Sequence, residues 1–367
     1  MVKKKINVGI LFGGKSAEHE ISLLSAKNII DALDRGKYNP VLIGIDKSGL
    51  WSLQDAADYL LHASDAKLIK LNKSDRRVAL VPQNAGKLTS LKNRSDLDAI
   101  DVVFPVLHGP FGEDGAMQGL LRMADIPFVG AGVLGSAVGM DKDVMKRLLR
   151  DVRIPGAKFR SARAYDGIPD YAAIVAEVGE PFFVKPANLG SSVGVSKVHD
   201  RSEYEKAVGL AFDYDHKILF EEYIQGREIE CSVLGNDDPI ASVPGEIIPN
   251  HEFYSYDAKY LDDQGAALEV PARLPAAVVS AVQQMAVAAF KALECAGMAR
   301  VDFFLRGGSE ILVNEINTIP GFTSISMYPR LWQASGIPYE ELIDRLIQLA
   351  FERHEQERRL KTVFTPD

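Results

Sequence analysis

The stretch "INVGILFGGKSAEHEISLLSAKNIIDAL", residues 6–33, limits the possible folds more than any other. It opens as a short, continuously apolar run, the mark of a strand buried on both faces. Two glycines turn the chain, and apolar residues at three- and four-residue spacing then describe an amphipathic helix. "NPVLIGID" and "DVVFPVLHG" repeat the buried-strand signal, each leading into glycine or turn residues. Strands alternating with helices predict a parallel, helix-wrapped α/β sheet over about the first third of the chain.

A second unit is predicted to begin with "MDKDVMKRLLRDVRIP", a helix with Asp141 as N-cap and Pro155 as stop. Strand "PFFVKPA", a glycine–serine loop, a further strand, a helix from Ser202 and strand "KILFEEYI" follow. The last third holds strands "REIECSVL", "GMARVDFFL" and "EILVNEIN" among long helices. Residues 246–270 show little periodicity and many Tyr, Asp and Gly, and are expected to form a functional loop.

The net charge of −8 argues against a nucleic-acid partner, which would require a basic footprint. Cys231 and Cys295 lack metal-ligand spacing, so buried thiols in a reducing compartment are expected. The longest apolar stretch, "AAVVSAVQQMAVAAFKAL", contains Gln283, Gln284 and Lys291, which suits a buried helix rather than a membrane span. The opening lysines precede an apolar run too short for a signal peptide and lacking a cleavage site. A cytosolic protein is expected.

"GILFGGKS" fits the phosphate-loop pattern G-x-x-x-x-G-K-[ST]. A working loop, however, curls small or polar residues around phosphate, whereas Ile10, Leu11 and Phe12 call for burial. The strand should therefore run through them and turn at Gly13-Gly14, leaving Ser16, Glu18 and His19 at the mouth of the sheet, where ligands of open α/β sheets bind.

Three other regions carry chemistry. In "FVKPANLGSSVGVSKV", Lys185 ends an apolar strand, and Gly190, Ser191, Ser192 and Gly194 make a donor-rich loop. Such a loop can lie over a polyphosphate; a mobile hairpin has the same composition. In "ARVDFFLRGGSEILVNEIN", residues two apart share a strand face. Arg300 therefore points with Asp302, and Glu315 with Asn317. Asp302, Glu315 and Asn317 are hard oxygen ligands of the kind magnesium shares with phosphates; an Arg300–Asp302 or Arg300–Glu315 ion pair tying two strands is the alternative. In "LFEEYIQGREIE", Glu221, Glu222 and Glu228 could accept from an adenine amino group or ribose, or line a solvated hairpin. "HGPFGEDG" places His108 after a strand, with Glu113 and Asp114 read as loop caps.

Taken in order, "GGKSAEHEIS", "HGPFGEDG", "MDKD", "VKPANLGSSVGVSKV", "YDAKY", "ARVDFF" and "NEINTIPGFTSISMYP" resemble the D-alanine–D-alanine ligases of the ATP-grasp superfamily, over essentially the whole chain. The resemblance implies an N-terminal parallel-sheet domain (1–138) and two α+β domains (139–222 and 223–367) gripping ATP, with a lid at about 246–270. It implies ATP-dependent joining of two D-alanines through an acyl phosphate, for peptidoglycan precursors. Two magnesium ions, with manganese as substitute, are implied at Asp302, Glu315 and Asn317. Glu18, His108, Arg300 and Ser326 are implied to hold the amino acids. Lys142, Lys185, Ser192, Glu221, Glu228, Lys259 and Phe304 are implied to hold the nucleotide. Arg300 and the Gly321 backbone would face the oxyanion, and Ser191 with Tyr260 would form a hydrogen-bonded pair linked to Glu18. Glu222 departs from the family pattern, where a neutral or basic residue is expected. A cytoplasmic homodimer with no nucleic-acid or membrane partner is implied.

The decoy assignment is checked by two variants. Lys185→Ala should abolish ATP turnover and Lys15→Ala should lower it far less. Equal loss of nucleotide binding in both would restore the phosphate-loop reading of residues 9–16.

Overall fold

The structure is a computed structural model that describes residues 4–249 and 266–361, apart from 64, 66, 83 and 85. Strand β1 (Ile6–Gly13) leads into helix α1 (His19–Ala32) and strand β2 (Tyr38–Ile45). Strand β3 (Trp51–Leu53) closes one edge. Short antiparallel patches follow: β4 (Leu60–Leu61) with β5 (Lys70–Leu71), and β6 (Val78–Leu80) with β7 (Lys87–Ser90) and β8 (Asp96–Ala99). Strand β9 (Val102–Val106) then returns to the first sheet, ordered β3-β2-β1-β9, with β1 parallel to both neighbours.

Residues 9–12 thus lie inside a buried central strand, and the turn falls where the sequence places it. Gly13 and Gly14 have φ of 91° and 97°, the left-handed region in which only glycine is unstrained. A Cβ on Gly13 would also stand 2.2 Å from the Ile45 carbonyl oxygen.

Helices α2 (Ala116–Met123), α3 (Val133–Met140) and α4 (Lys142–Asp151) lead to the second sheet. Asp141 caps α4, its carboxylate accepting from the Val144 N–H at 3.0 Å. The second sheet is antiparallel, with order β10 (Phe159–Arg163), β13 (Lys217–Glu222), β11 (Phe182–Pro186), β12 (Ser196–Val198). Helices α5 (Tyr171–Val178) and α6 (Arg201–Phe212) bury Ile174, Val178, Tyr204 and Val208 against it.

The third sheet has β14 (Arg227–Gly235) and β18 (Gly297–Arg306) at its centre and β19 (Glu310–Asn317) at one edge. Strand β15 (Ile240–Ala241) pairs with β14, and β16 (Gly245–Pro249) and β17 (Ala266–Glu269) extend the other edge. The loop expected at 246–270 is corrected at both ends, where it is strand: Glu246 pairs with Glu269 and Pro249 with Ala266. Main-chain pairing at a sheet edge builds these strands, and their few residues carry too short a pattern to be read from side chains. Residues 250–265 lie outside the described part of the chain.

Helix α7 (Ala276–Ala292) covers one face of the third sheet. Helices α8 (Met327–Ala334) and α9 (Tyr339–Arg358) bring the last residues back to the first sheet. One apolar cluster joins Val8, Ile10 and Phe12 of β1 to Leu234, Met298, Leu342, Leu346 and Ile347. Polar ties fix the register: Tyr38 Oη donates to Asp344 at 2.7 Å, and Arg353 donates to the Phe128 carbonyl at 2.8 Å. The first and third sheets therefore share a core, which fixes Glu18 relative to β18. Among the described residues, no helix is long and apolar enough to cross a membrane.

Candidate active site

The three sheets meet around a cleft made of two adjoining cavities. The inner one, about 190 Å³, is walled by Glu18, His108, Ser191, Arg300, Asp302, Glu315, Asn317, Gly321 and Ser326. The outer one, about 490 Å³, is walled by Lys142, Lys185, Ser192, Glu221, Glu228 and Phe304. Ser191, Glu228, Phe304 and Glu315 line both. Every described residue assigned to the amino acids or the metal thus faces the inner cavity, and every one assigned to the nucleotide faces the outer. Lys259 and Tyr260 lie outside the described residues.

Glu18 stands just before α1, 9% exposed, and accepts a hydrogen bond from the Ser191 hydroxyl. That bond crosses from the first sheet's mouth to the glycine–serine loop. Ser191 and Ser192 both have left-handed backbones, with φ of 50° and 59°. Such conformations persist only where the surroundings over-determine them, and the bond to Glu18 supplies part of that hold. His108 is buried, with Nδ1 at 3.0 Å from the Ile319 carbonyl and Nε2 at 3.4 Å from the Ser25 hydroxyl. Burial lowers its pKa, so the ring is neutral: Nδ1–H donates to the carbonyl and Nε2 accepts from Ser25. The Ser326 hydroxyl accepts from the Thr323 N–H at 2.9 Å, and a Cβ on Gly321 would come within 2.7 Å of it. Gly321 is therefore the residue that lets the chain pass this hydroxyl.

On β18 and β19, Arg300 lies opposite Asn317, and Asp302 opposite Glu315. Arg300 grips Asp302 with both arms, at 2.7 and 2.8 Å, and reaches Glu230 on β14 at 3.0 Å. Asn317 donates to Asp302 at 2.9 Å, and Lys142 pairs with Glu315 at 3.2 Å. Of the two ion pairs considered from sequence, the Arg300–Asp302 pair forms, and Glu315 pairs with Lys142 instead. Asp302, Glu315 and Asn317 nevertheless converge on one cavity as two carboxylates and an amide. Among the described residues no third acidic or imidazole ligand joins them. The set fits a hard cation that completes its shell with phosphate oxygens, not a closed protein cage.

In the outer cavity, Lys185 and Lys146 both pair with Glu221, at 2.5 and 2.8 Å. Burial works to raise the Glu221 carboxyl, but the two ammonium groups outweigh it and hold the group below the usual carboxylate range. Glu228 lies opposite Phe304 across β14 and β18. Glu222, the departure noted in the sequence, pairs with Arg306 at 2.9 Å and accepts from the Lys158 N–H. It braces the second sheet against the third.

Sequence reasoning missed three contributors. Nothing in the sequence distinguishes Lys146 from the other charges of α4, yet it is buried against Glu221 and donates to the Asn314 carbonyl at 3.2 Å. Asn314 lines both cavities because a bulge in β19 inserts it between the partners of Asp302 and Phe303. Glu113, read as a loop cap, does cap Gly109 at 2.7 Å, but it also accepts from Ile319 and faces the inner cavity. Burial, and then the charge of Glu18, push its pKa up to about 8. Asp114 caps Phe111 and Ala116, as expected.

Two antiparallel sheets with a lysine-lined cleft between them, and acidic strands at one end of it, define an ATP-grasp enzyme. Family models for the D-ala D-ala ligase N-terminus and C-terminus match residues 7–131 and 148–348. A D-alanine–D-alanine ligase of Oceanobacillus iheyensis is 54% identical over 363 residues, covering 98% of this chain and 99% of the relative. D-alanine–D-alanine ligase A of Escherichia coli K12 is 53% identical over 361 residues, covering 98% and 99%. Among solved structures, the D-alanine–D-alanine ligase of Coxiella burnetii superposes with a TM-score of 0.84 at 41% identity, covering 97% and 96%. The VanG D-Ala:D-Ser ligase of Enterococcus faecalis also gives 0.84, at 34% identity, covering 95% and 100%. The chain belongs to the D-alanine–D-alanine ligase family.

Glu113 carries a pH signature. Its pKa is higher folded than unfolded, so the native state holds the proton longer and stability falls as pH rises from about 4.5 towards 8. Glu113→Gln cannot ionise and should lose that fall. Melting temperatures of both proteins across the window test it; parallel curves would remove Glu113 as the cause.

Proposed function

We propose that this enzyme joins two D-alanines at the expense of ATP, making the dipeptide used in peptidoglycan precursors. The observation that carries this is the Glu18–Ser191 bond, which brings a carboxylate at the amino-acid end into the same cleft as the phosphate-binding loop. In this reading Glu18 and His108 receive the first D-alanine, and Ser326 holds the carboxylate of the second. Glu228 and Phe304 receive the ribose and base, with Glu221 at the adenine hinge, and Ser192, Lys142, Lys185 and Lys259 meet the phosphates.

A carboxylate resists attack because its charge repels the amine. Transfer of the γ-phosphoryl group makes an acyl phosphate with a good leaving group. What the protein contributes is positioning and charge neutralisation, and Lys142 and Lys185 in the wall of the outer cavity suit both. The second amine, having given up a proton, then attacks, and the tetrahedral oxyanion develops near Arg300, already oriented by Asp302 and Glu230, and near the Gly321 N–H. Its collapse breaks the bond to the phosphate oxygen, releasing inorganic phosphate and the dipeptide. Magnesium, two ions with manganese as substitute, would be held by Asp302, Glu315 and Asn317 and would neutralise phosphate charge. Of the segment expected as a lid, the part between β16 and β17, with Tyr260, is proposed to exclude water, since water would hydrolyse the acyl phosphate. Domain limits at 138 and 222, a homodimer and a cytoplasmic location complete the proposal.

Phosphate release from ATP and magnesium should require D-alanine and yield D-alanyl-D-alanine. With D-alanine mixed with D-lactate or D-serine, the dipeptide should dominate. Turnover indifferent to D-alanine, or mainly another product, would overturn the assignment.

The metal set has its own test. Glu315→Gln should raise the magnesium concentration for half-maximal turnover at least roughly tenfold, the scale of losing one tuned ligand, and Asn317→Asp should be milder. Unchanged magnesium dependence in Glu315→Gln would leave Glu315 as a partner of Lys142 alone.

A further inference from the structure

The motif "MDKD" sets two aspartates beside the lysine that reaches the cleft, an arrangement that by itself works against phosphate binding. Asp141 and Asp143 flank Lys142 at the start of α4. Unpaired, they would attract the Lys142 ammonium back to their own side. In the structure the ammonium is not drawn back, and both carboxylates are held by a third segment.

That segment is β13. Lys217, 5% exposed and absent from both cavity walls, donates to Asp141 at 2.7 and 2.6 Å and to Asp143 at 3.2 Å. Arg147 adds a second cation to Asp143 at 3.0 Å. The main chain ties the same elements: the Lys142 N–H donates to the Ala187 carbonyl, and the Ala187 N–H donates to the Lys217 carbonyl, each at 2.9 Å. With its neighbours occupied, the Lys142 ammonium points the other way, to the Leu189 carbonyl at 2.8 Å and Glu315 at 3.2 Å. Leu189 adjoins Gly190 and Ser191 of the glycine–serine loop.

We propose that Lys217 is a positioning residue for Lys142: by engaging both flanking aspartates it keeps them from drawing the Lys142 ammonium back and leaves that ammonium to the cleft. The proposal rests on the phosphate-contact role of Lys142 given above. It differs from an ordinary buried ion pair in one respect. A buried pair contributes fold stability whatever Lys142 does, whereas this device acts through Lys142 and through the aspartates' charge.

The test is calorimetric binding of ADP with magnesium to the full-length enzyme, with melting temperatures alongside. Lys217→Met should weaken binding by roughly tenfold, the scale for groups that orient a ligand without touching it, and Lys217→Arg should restore most of it. Neutralising the aspartates as well, in Lys217→Met/Asp141→Asn/Asp143→Asn, should bring affinity back near wild type. Asparagine keeps the cap on α4, and this variant buries no unpaired charge. In a Lys142→Ala background, Lys217→Met should weaken binding no further. If Lys217→Met alone does not fold, Lys217→Met/Asp143→Asn takes its place, and the carboxylate left at 141 should make it bind more weakly than the triple variant. Wild-type affinity in Lys217→Met, no recovery in the triple variant, or an added loss in the Lys142→Ala background would overturn the proposal while leaving Lys142's role intact. Wild-type affinity in Lys142→Ala itself would instead defeat the role on which the proposal rests, and the proposal with it.

Discussion

The pairing of β18 with β19 is the constraint on which the site depends. Val301, Phe303 and Leu305 are buried on one face of β18, so Arg300 and Asp302 are committed to the other. A one-residue slip would drive those charges into the core, and burying an unpaired charge is far costlier than any local gain could offset. The apolar face thereby sets the position of the polar one. Asp302 opposite Glu315 is the consequence, and the bulge at Asn314 then turns one further residue to the cleft than strict alternation permits.

What the sequence revealed follows from how local each signal is. A wholly apolar β1 ending in two glycines needs no tertiary information, so the strand's end and the false phosphate loop were legible. So were the Asp141 cap on α4 and the shared face of Arg300 with Asp302, since both depend on residues a few positions apart. The grouping of candidates into two cavities came from the family resemblance, because no periodicity relates Glu18 to Ser191, 173 residues away.

The failures share a cause. Lys146 lies on a helix as charged as any solvated one, and only Glu221 on β13 makes it a buried residue. Glu113 sits in a loop where a cap is a sufficient explanation, and its second face becomes visible only when Ile319 arrives from 206 positions along the chain. Strands β16 and β17 were read as loop because edge pairing is made by main-chain groups that every residue carries. In each case one end of the interaction was plain in the sequence and the partner was not.

The distribution of charge in the cleft links these parts to the chemistry. Glu221 has two lysines, Glu315 has Lys142, and Asp302 and Glu230 share Arg300. Each of these four carboxylates is therefore matched, as burial requires. An incoming polyphosphate offers the lysines denser negative charge than a carboxylate does. On the function proposed above, Lys142 is shared between Glu315 and a phosphate, so a move toward phosphate would take one cation from Glu315 beside Asp302 and Asn317. A carboxylate in that position, among oxygen donors and next to phosphate, would suit a hard divalent ion. On that proposal, the ion-pair and metal interpretations of these residues are two uses of one set of charges.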